Sequence, residues 1–406
     1  METPSETLAA DEKPVTEIQE GREGLLQGPV HVLPQDEGRT LDDGPALCLS
    51  GGGFRAMLFH TGVLWRLNEI GWLPLLKRIS SVSGGSITAG VLAVTWDSLK
   101  FESAVAIDFQ EKVVNPIMEF ASNTIDIPAV IKGTLWFGSI ADFVAAAYRK
   151  YLFGEKTLQD ITSRDSSVSP IFVINATSVQ SGVLWRFTRP YMWDYRVGKV
   201  KNPRIPIAAA VAASSAFPPF LSPLTLKLSP SEFVPNSGTD MQDDKYRTDI
   251  VLSDGGVYDN LGLETVWKNY RTVLVSDAGG SFRPEERPWF NWLCHAYRTL
   301  ETIDNQVRSL RKRQVVDSYI AGVRSGAYWS IRTDLAKGYM VPSMLDCPFD
   351  RTTKLANIGT RLKRLDRETQ MKLVNWGYAL SDCAIRKFVN QSIPPPSQFP
   401  FPLTGV

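Results

Sequence analysis

The sequence predicts an α/β protein with a mostly parallel central sheet that helices cover on both faces. Two observations support this class. Short apolar runs typical of buried strands alternate along the chain with longer runs compatible with helices. Several of the apolar runs also end abruptly in glycine, serine or aspartate, as strands do where they enter a tight loop. With 406 residues, of which 43% are hydrophobic, the chain can bury a sizeable core.

The elements follow one another in a regular order. The apolar run at 45–50 predicts a buried strand, and the run at 51–71 predicts a glycine loop that continues into a helix. A second strand over 76–82 precedes a helix of small residues over 84–96. The later predictions are, in chain order, helices over 101–122 and 135–152, strands over 170–179 and 183–188, a helix over 205–217, strands over 248–256 and 271–280, a helix over 293–316, a strand over 327–334 and helical structure over 354–392.

Charge and composition divide the chain into three parts. Residues 1–44 carry eleven acidic and three basic side chains, which is typical of a disordered acidic tail. The segment 45–392 is predicted to be the folded domain, and the proline-rich segment 393–406 an arm that cannot continue the last helix. The tail lacks the features of a signal peptide, and no apolar run is long enough to span a bilayer. A net charge of +1 gives no indication of nucleic-acid binding.

Cysteine and histidine are scarce, which limits the chemistry available. Four widely spaced cysteines form no Cys-x-x-Cys pair, so we expect free thiols in a reducing, cytoplasmic compartment. The three histidines are His31 in the tail, His60 and His295. No cluster of metal-ligating residues is visible, so the sequence predicts neither a metal nor another cofactor.

Three glycine-containing turns follow three predicted strands, at 50–55, 81–86 and 253–256. Since the carboxyl ends of parallel strands share one edge of a sheet, these turns are expected to converge. In the second turn, Ser83 stands between a strand and a helix, as the nucleophile does in a Gly-x-Ser-x-Gly elbow. Gly85 matches the last glycine of that pattern, and Ser81 replaces the first. A plain strand-turn-helix is the alternative.

The first turn contains Gly51, Gly52 and Gly53, followed by Arg55. Consecutive glycines allow backbone N–H groups to point at one oxygen and so to form an oxyanion hole. A phosphate-binding loop is the alternative, although neither of the usual nucleotide-binding glycine patterns is present. Arg55 is expected either to steady the loop or to bind an anionic phosphate.

A serine nucleophile needs a base that takes its proton. His60 lies too far along its helix to face the glycine loop, and histidines in helices are commonly core residues. We therefore expect the base to be Asp254, at the end of a predicted strand, with Asp277 as a rival in a similar position. Burial at the end of an apolar strand would raise the pKa of Asp254 toward the working pH.

Taken together, the segments GGGFR, SVSGGS and DGGVYDNLG resemble the patatin-like phospholipases, and GGGFRAM with SGGS is also similar to the catalytic domain of cytosolic phospholipase A. The resemblance covers roughly residues 45–335. It implies a three-layer α/β/α sandwich and hydrolysis of lipid acyl esters by a Ser-Asp dyad. In this chain the implied nucleophile is Ser83 and the implied base is Asp254. Gly51, Gly52 and Gly53 would form the oxyanion hole, supported by Arg55.

The expected substrate is therefore a membrane phospholipid or a related glycerolipid, which implies peripheral contact with a membrane. The aromatic stretches 134–154 and 287–300 are candidates for a lid or an interfacial surface, and a core helix is the alternative for each. A soluble esterase or thioesterase with the same dyad, and a catalytically silent lipid-binding protein, are the alternative functions. The sequence identifies no protein regulator and no activating ligand.

Overall fold

The computed structural model of the chain describes residues 41–125, 140–162, 169–219, 221–282, 284–288 and 291–406. Most of the predicted acidic tail, together with His31, lies outside these ranges. So do residues 135–139 of the predicted helix over 135–152, and Trp289 and Phe290 of the second aromatic stretch.

The strands occupy the predicted positions and add several that were not predicted. In chain order they are β1 (Asp42–Leu49), β2 (Arg78–Ser81), β3 (Phe101–Glu102), β4 (Val105–Ala106), β5 (Ile171–Ser178), β6 (Leu184–Phe187), β7 (Tyr191–Asp194), β8 (Gly198–Lys201), β9 (Leu224–Lys227), β10 (Asp249–Asp254), β11 (Tyr270–Asp277) and β12 (Ser325–Ser330).

The helices follow the same alternation. They are α1 (Gly53–Glu69), α2 (Gly84–Thr95), α3 (Asn115–Phe120), α4 (Ile140–Tyr148), α5 (Ile207–Ser214), α6 (Gly256–Asp259), α7 (Glu264–Trp267), α8 (Trp292–Ile320), α9 (Leu335–Gly338), α10 (Phe349–Ala356) and α11 (Arg367–Phe388).

The central sheet joins the strands in the order β12-β11-β1-β2-β5-β6-β7-β8. The first five of these are mutually parallel, and β6, β7 and β8 continue the sheet as an antiparallel meander. Helices cover both faces, which alternate along each strand. In β1, Leu47 and Leu49 belong to the larger core cluster with α1, α2 and α11, whereas Ala46 and Cys48 belong to a smaller cluster on the other face. The predicted fold class is therefore confirmed.

The strand β10 runs in the direction opposite to the one expected for a parallel sheet, and this direction brings its end to the end of β2. The strand β10 runs antiparallel to β5 and pairs with the second half of it, through Asp254 opposite Ala176. The parallel strand β2 pairs with the first half of β5, ending with Ser81 opposite Ile174. The strands β2 and β10 therefore approach each other head-on along the same side of β5. Their carboxyl ends meet beside Asn175, where a parallel arrangement would have placed both strands side by side.

Two predicted helices are wrong in part. The first six residues of the predicted helix over 101–122 form the hairpin β3–β4, whose turn residues Ser103 and Ala104 have positive φ angles. The predicted helix over 354–392 is two helices, α10 and α11, separated by residues 357–366. The interruption contains Gly359 and ends at Asp366, which caps α11 by accepting the Thr369 N–H at 2.9 Å; within it, the Arg361 carbonyl accepts the N–H of Phe54 at 3.1 Å.

The ends of the predicted domain are also more structured than expected. The strand β1 begins at Asp42, inside the predicted tail, because the Asp42 N–H donates to the Asn269 carbonyl at 2.8 Å. The carboxyl-terminal arm is bound to the domain through Asn375 of α11, whose side chain donates to the Phe401 and Gly405 carbonyls and accepts the Phe401 N–H.

Candidate active site

The Ser83 turn connects β2 to α2 and has the strained geometry of a nucleophile elbow. Ser83 has φ 51° and ψ −120°, a region that residues with a side chain rarely occupy. The turn is held by the Ser83 N–H, which donates to the Ser214 hydroxyl at 2.9 Å. Only 9% of Ser83 is exposed, so the hydroxyl lies in a nearly dry site at the amino end of a 12-residue helix.

Ser81 stands where the Gly-x-Ser-x-Gly pattern has its first glycine, and its hydroxyl forms hydrogen bonds that a glycine could not form. The Ser81 hydroxyl donates to the Val173 carbonyl at 3.1 Å and accepts the Ser86 hydroxyl at 3.0 Å. Ser86 in turn contacts the Ser214 hydroxyl at 2.9 Å. A chain of buried hydroxyls therefore runs beneath the elbow and ties β2, α2 and α5 together. The serine that replaces the first glycine of the Gly-x-Ser-x-Gly pattern is therefore part of this hydroxyl network.

Asp254 ends β10 and is buried beside the elbow. Its Oδ1 accepts the Gly256 N–H at 2.6 Å, whereas Oδ2 is buried and accepts no hydrogen bond of ordinary geometry from a described residue. Burial raises the pKa of Asp254 to about 7, and the Gly256 N–H and the Ser83 hydroxyl lower it in part. A carboxyl with a pKa near 7 that faces a serine hydroxyl can serve as a general base.

The rival acid and the nearby histidine are both engaged in structural contacts. Asp277 pairs with Lys312 at 2.7 Å and accepts the Tyr328 hydroxyl at 2.7 Å, and the pKa of its carboxyl is lowered, chiefly because of Lys312 acting against burial. His60 is fully buried between Ser276 and the Ser50 carbonyl, and burial lowers its pKa to about 4. His295 lies exposed on α8. Among these groups, Asp254 is the one that the structure brings to Ser83.

The glycine loop lies against the elbow, but its N–H groups are not equivalent. The Gly51 N–H donates to the Asn260 carbonyl at 3.1 Å and is therefore occupied. The N–H groups of Gly52, Gly53 and Gly84 donate to no described residue. The loop and the elbow are in direct backbone contact, since a Cβ added to Gly84 would lie 2.2 Å from the Gly53 carbonyl oxygen. The three N–H groups without a described acceptor therefore belong to the two turns that meet at Ser83.

Gly84 was not predicted as a site residue, although a signal for it exists in the sequence. In a nucleophile elbow the residue after the nucleophile supplies an N–H to the oxyanion hole. Gly85, which was predicted as part of the elbow, acts through packing, because a Cβ there would lie 2.5 Å from the Leu49 carbonyl oxygen. It allows α2 to approach the end of β1 closely.

Arg55 supports the glycine loop from behind. It is 2% exposed, and its guanidinium donates to the carbonyls of Ala278, Ala356 and Ile358 at 2.8, 3.0 and 2.5 Å. These contacts connect α1 to two segments distant in sequence. Of the two roles expected for Arg55, the structure favours steadying the loop, since the fork of donors is directed at backbone carbonyls.

Two asparagines join the three turns, and the sequence analysis did not single them out. Asn175 lies where β2 and β10 meet, and its amide donates to the Ser80 hydroxyl and the Ser81 carbonyl, both at 2.9 Å. The side chain of Asn260 lies between the glycine turns, so that a Cβ added to Gly51 or Gly256 would lie within 2.6 Å of its Oδ1. Both roles arise from long-range contacts that no local pattern indicates.

Within the part of the chain that the structure describes, no group of three or more His, Cys, Asp or Glu side chains is arranged to hold a metal ion. In the same residues, no helix is both long enough and apolar enough to cross a bilayer. The described part of the first aromatic stretch packs one face of α4 against the core through Ala141, Val144 and Tyr148, while Tyr151 is 43% exposed.

Comparisons with known proteins agree with this architecture. No curated protein sequence matches the chain significantly. The structure is similar to human GIVD cytosolic phospholipase A2, with a TM-score of 0.50 and 12% identity, over 87% of this chain and 60% of that one. A weaker likeness is found to VipD from Legionella pneumophila, with a TM-score of 0.31 and 14% identity, over 84% of this chain and 66% of that one.

At such low identity, the first likeness shows the fold alone, and this chain spans about 60% of the length of that human protein. The sequence itself gives stronger evidence of ancestry. Residues 47–267 match the family of patatin-like phospholipases, and this range contains the glycine loop, the elbow and Asp254. Because the match covers more than half of the chain and agrees with the motifs and the fold, the protein belongs to the patatin-like phospholipase family.

Proposed function

We propose that this protein is a serine acyl hydrolase that cleaves fatty acyl esters of membrane glycerolipids, with Ser83 as nucleophile and Asp254 as base. The observation that carries the proposal is the head-on meeting of β2 and β10. It sets a strained serine beside a buried carboxyl whose pKa is raised to about 7. Family membership supports the lipid ester as the substrate.

In the proposed reaction, Asp254 accepts the proton of Ser83 while Oγ attacks the ester carbonyl carbon. The carbonyl oxygen becomes an oxyanion, which the N–H groups of Gly52, Gly53 and Gly84 would stabilise, since none of them donates to a described residue. The proton on Asp254 then passes to the departing alcohol. A water molecule, deprotonated by the same carboxylate, releases the fatty acid from Ser83.

The electrostatics of the site support this sequence of steps. Asp254 Oδ2 accepts no hydrogen bond of ordinary geometry from a described residue, so its contact with Ser83 can shorten when the substrate binds. The helices α1 and α2 both begin at the site, and the positive ends of their dipoles favour a developing negative charge. The chemistry as proposed needs no metal or other cofactor.

We further propose that the protein acts in a reducing compartment such as the cytoplasm and contacts membranes peripherally. All four cysteines are free thiols, and two of them, Cys48 and Cys383, are buried. Free buried thiols are typical of proteins in reducing surroundings.

The test is fatty-acid release from mixed phospholipid vesicles by the wild type, Ser83→Ala and Asp254→Asn, each shown to be folded by circular dichroism. We expect both variants to lose at least about 10³-fold in rate. Loss in Ser83→Ala alone would remove Asp254 from the mechanism. Activity on short-chain esters without activity on vesicles would favour a soluble esterase. Inactivity on both, with vesicle binding intact, would indicate a silent lipid-binding protein.

A further inference from the structure

The long helix α8 presents a stripe of apolar side chains to solvent. Leu300, Ile303, Val307 and Leu310 recur at intervals of three and four residues and are 63, 51, 39 and 54% exposed. A different face of the helix holds it to the domain, through buried Val315 and through the Tyr319 hydroxyl, which donates to the Val273 carbonyl at 2.6 Å. A contiguous exposed apolar stripe of this kind indicates an interaction surface. We call these four residues the α8 stripe.

The carboxylates next to the stripe are neutralised within the helix. Glu301 pairs with Arg298 at 3.1 Å, and Asp304 pairs with Arg308 at 2.7 Å. The approach of an anionic surface to the stripe is therefore not opposed by unpaired acids at these positions. Repulsion of an anionic surface would otherwise be strongest at such sites.

A second exposed feature lies between α10 and α11. The side chains of Lys363, Arg364 and Arg367 are exposed, and none of them forms an ion pair with a residue in the described ranges. The backbone of this segment is fixed, because the Leu362 carbonyl accepts the Ile125 N–H at 2.8 Å and the Leu365 N–H donates to the Ala121 carbonyl at 3.0 Å. We call these three cations the basic segment.

The α8 stripe and the basic segment adjoin the same rim of the candidate active site. Arg308 of α8 donates to the Gly280 carbonyl at 2.6 Å. A Cβ on Gly280 would lie 3.4 Å from Thr360, which precedes the basic segment. The next residue, Arg361, accepts the Phe54 N–H at 3.1 Å through its carbonyl, beside the glycine loop. Residues next to both features thus meet around Gly280, beside the glycine loop.

We propose that the α8 stripe and the basic segment form a docking face that brings the active site onto lipid surfaces rich in anionic headgroups. This inference rests on the proposed function and names the kind of lipid surface from which the enzyme takes its substrate. Apolar side chains that enter the boundary between headgroups and acyl chains, flanked by cations, are the physical basis of interfacial binding. The occupant chosen is an anionic lipid surface because the three cations of the basic segment form no ion pair with a described residue.

The experiment measures binding of the full-length Ser83→Ala protein to vesicles by flotation, so that the lipid stays intact. Vesicles of phosphatidylcholine alone are compared with vesicles that also contain phosphatidylserine. In this background, the first variant carries Lys363→Gln, Arg364→Gln and Arg367→Gln. The second carries Leu300→Ser and Ile303→Ser.

We expect the unmodified background to prefer phosphatidylserine vesicles. Each cation near an anionic surface contributes about a fivefold change in binding, so the first variant should bind on the order of a hundredfold more weakly. The second should bind more weakly to both kinds of vesicle. The matched control replaces Lys77, Lys201 and Lys227, which are exposed elsewhere on the surface, with glutamine and should bind like the background.

Three results would overturn the proposal: equal affinity for both kinds of vesicle, unchanged binding by the first variant, or an equal loss in the control. If the stripe variant binds lipid normally and changes the sedimentation coefficient from dimer to monomer, the stripe is instead an interface between two copies. The same surface substitutions in the Ser83 protein should leave hydrolysis of a soluble short-chain ester unchanged. Absence of fatty-acid release from vesicles by the unsubstituted protein would contradict the proposed function and leave the binding result standing.

Discussion

The replacement Asp254→Asn should make the protein more stable in a strongly pH-dependent way. Asp254 has a pKa of about 7 in the folded protein, against 3.8 as its ordinary value. As the pH rises from about 4 to about 7, the unfolded chain loses this proton while the folded protein retains it, so the wild type loses stability. Above about 7 the loss stays constant. The asparagine variant has no carboxyl at this position and should not show this loss.

The magnitude follows from the pKa difference. One pKa unit corresponds to ~1.4 kcal/mol, and about two units of the difference titrate between pH 5 and pH 8. The free energy of unfolding of Asp254→Asn relative to wild type should therefore rise by about 3 kcal/mol between these two pH values. Asparagine keeps the oxygen that accepts the Gly256 N–H, so that contact changes little.

Urea unfolding of both proteins at pH 5, 6, 7 and 8, with extrapolation to water, measures this difference. The matched control is Asp277→Asn. The pKa of Asp277 is lowered, so its carboxylate contributes stability above its ordinary pKa, and that contribution is lost only as the pH falls. The control should therefore be less stable than wild type at pH 8. A relative stability of Asp254→Asn that stays flat, or falls, between pH 5 and pH 8 would refute the reasoning.

Three further predictions concern the site. The kcat/KM of the wild type should fall about tenfold per pH unit below about 7, since Asp254 must be ionised, and a profile flat down to pH 5 would argue against this base. Gly84→Ala should abolish activity and lower the melting temperature, because the new Cβ would lie 2.2 Å from the Gly53 carbonyl oxygen; Gly359→Ala, with nothing nearer than 4.0 Å, is the neutral control. Arg55→Lys should lower the free energy of unfolding, measured in urea melts, by about 2–4 kcal/mol, since an ammonium group cannot reach three carbonyls at once. Wild-type stability of this variant would contradict the role of Arg55 in steadying the glycine loop.

The features that local patterns predicted are those that depend on near neighbours in sequence. The elbow at Ser83 needs a strand, a small-residue turn and a helix within about fifteen residues, and all three are visible in the sequence. The glycine loop before α1 is equally local. By contrast, the N–H of Gly51 is occupied by the Asn260 carbonyl, a contact between residues more than two hundred positions apart.

The errors in the predicted elements have two different causes. The hairpin β3–β4 turns through Ser103 and Ala104, which lack the glycine and asparagine signals of such turns, so the segment was predicted as helix. The break between α10 and α11 was missed although its local signals are present, namely Gly359 and the N-cap Asp366, whose side chain accepts the Thr369 N–H.

Local patterns were enough to predict an α/β member of this family and to identify Ser83 and Asp254 as the residues to test. Alternating hydrophobicity and tight turns are properties of adjacent residues, so they can be found without a structure. That β10 runs antiparallel to β5 and meets β2 head-on is visible in the folded protein alone. The raised pKa of Asp254, the occupied N–H of Gly51 and the rim formed by α8 and the basic segment also depend on it. Strand direction, burial and exposure are set by contacts between distant segments, which no local pattern records.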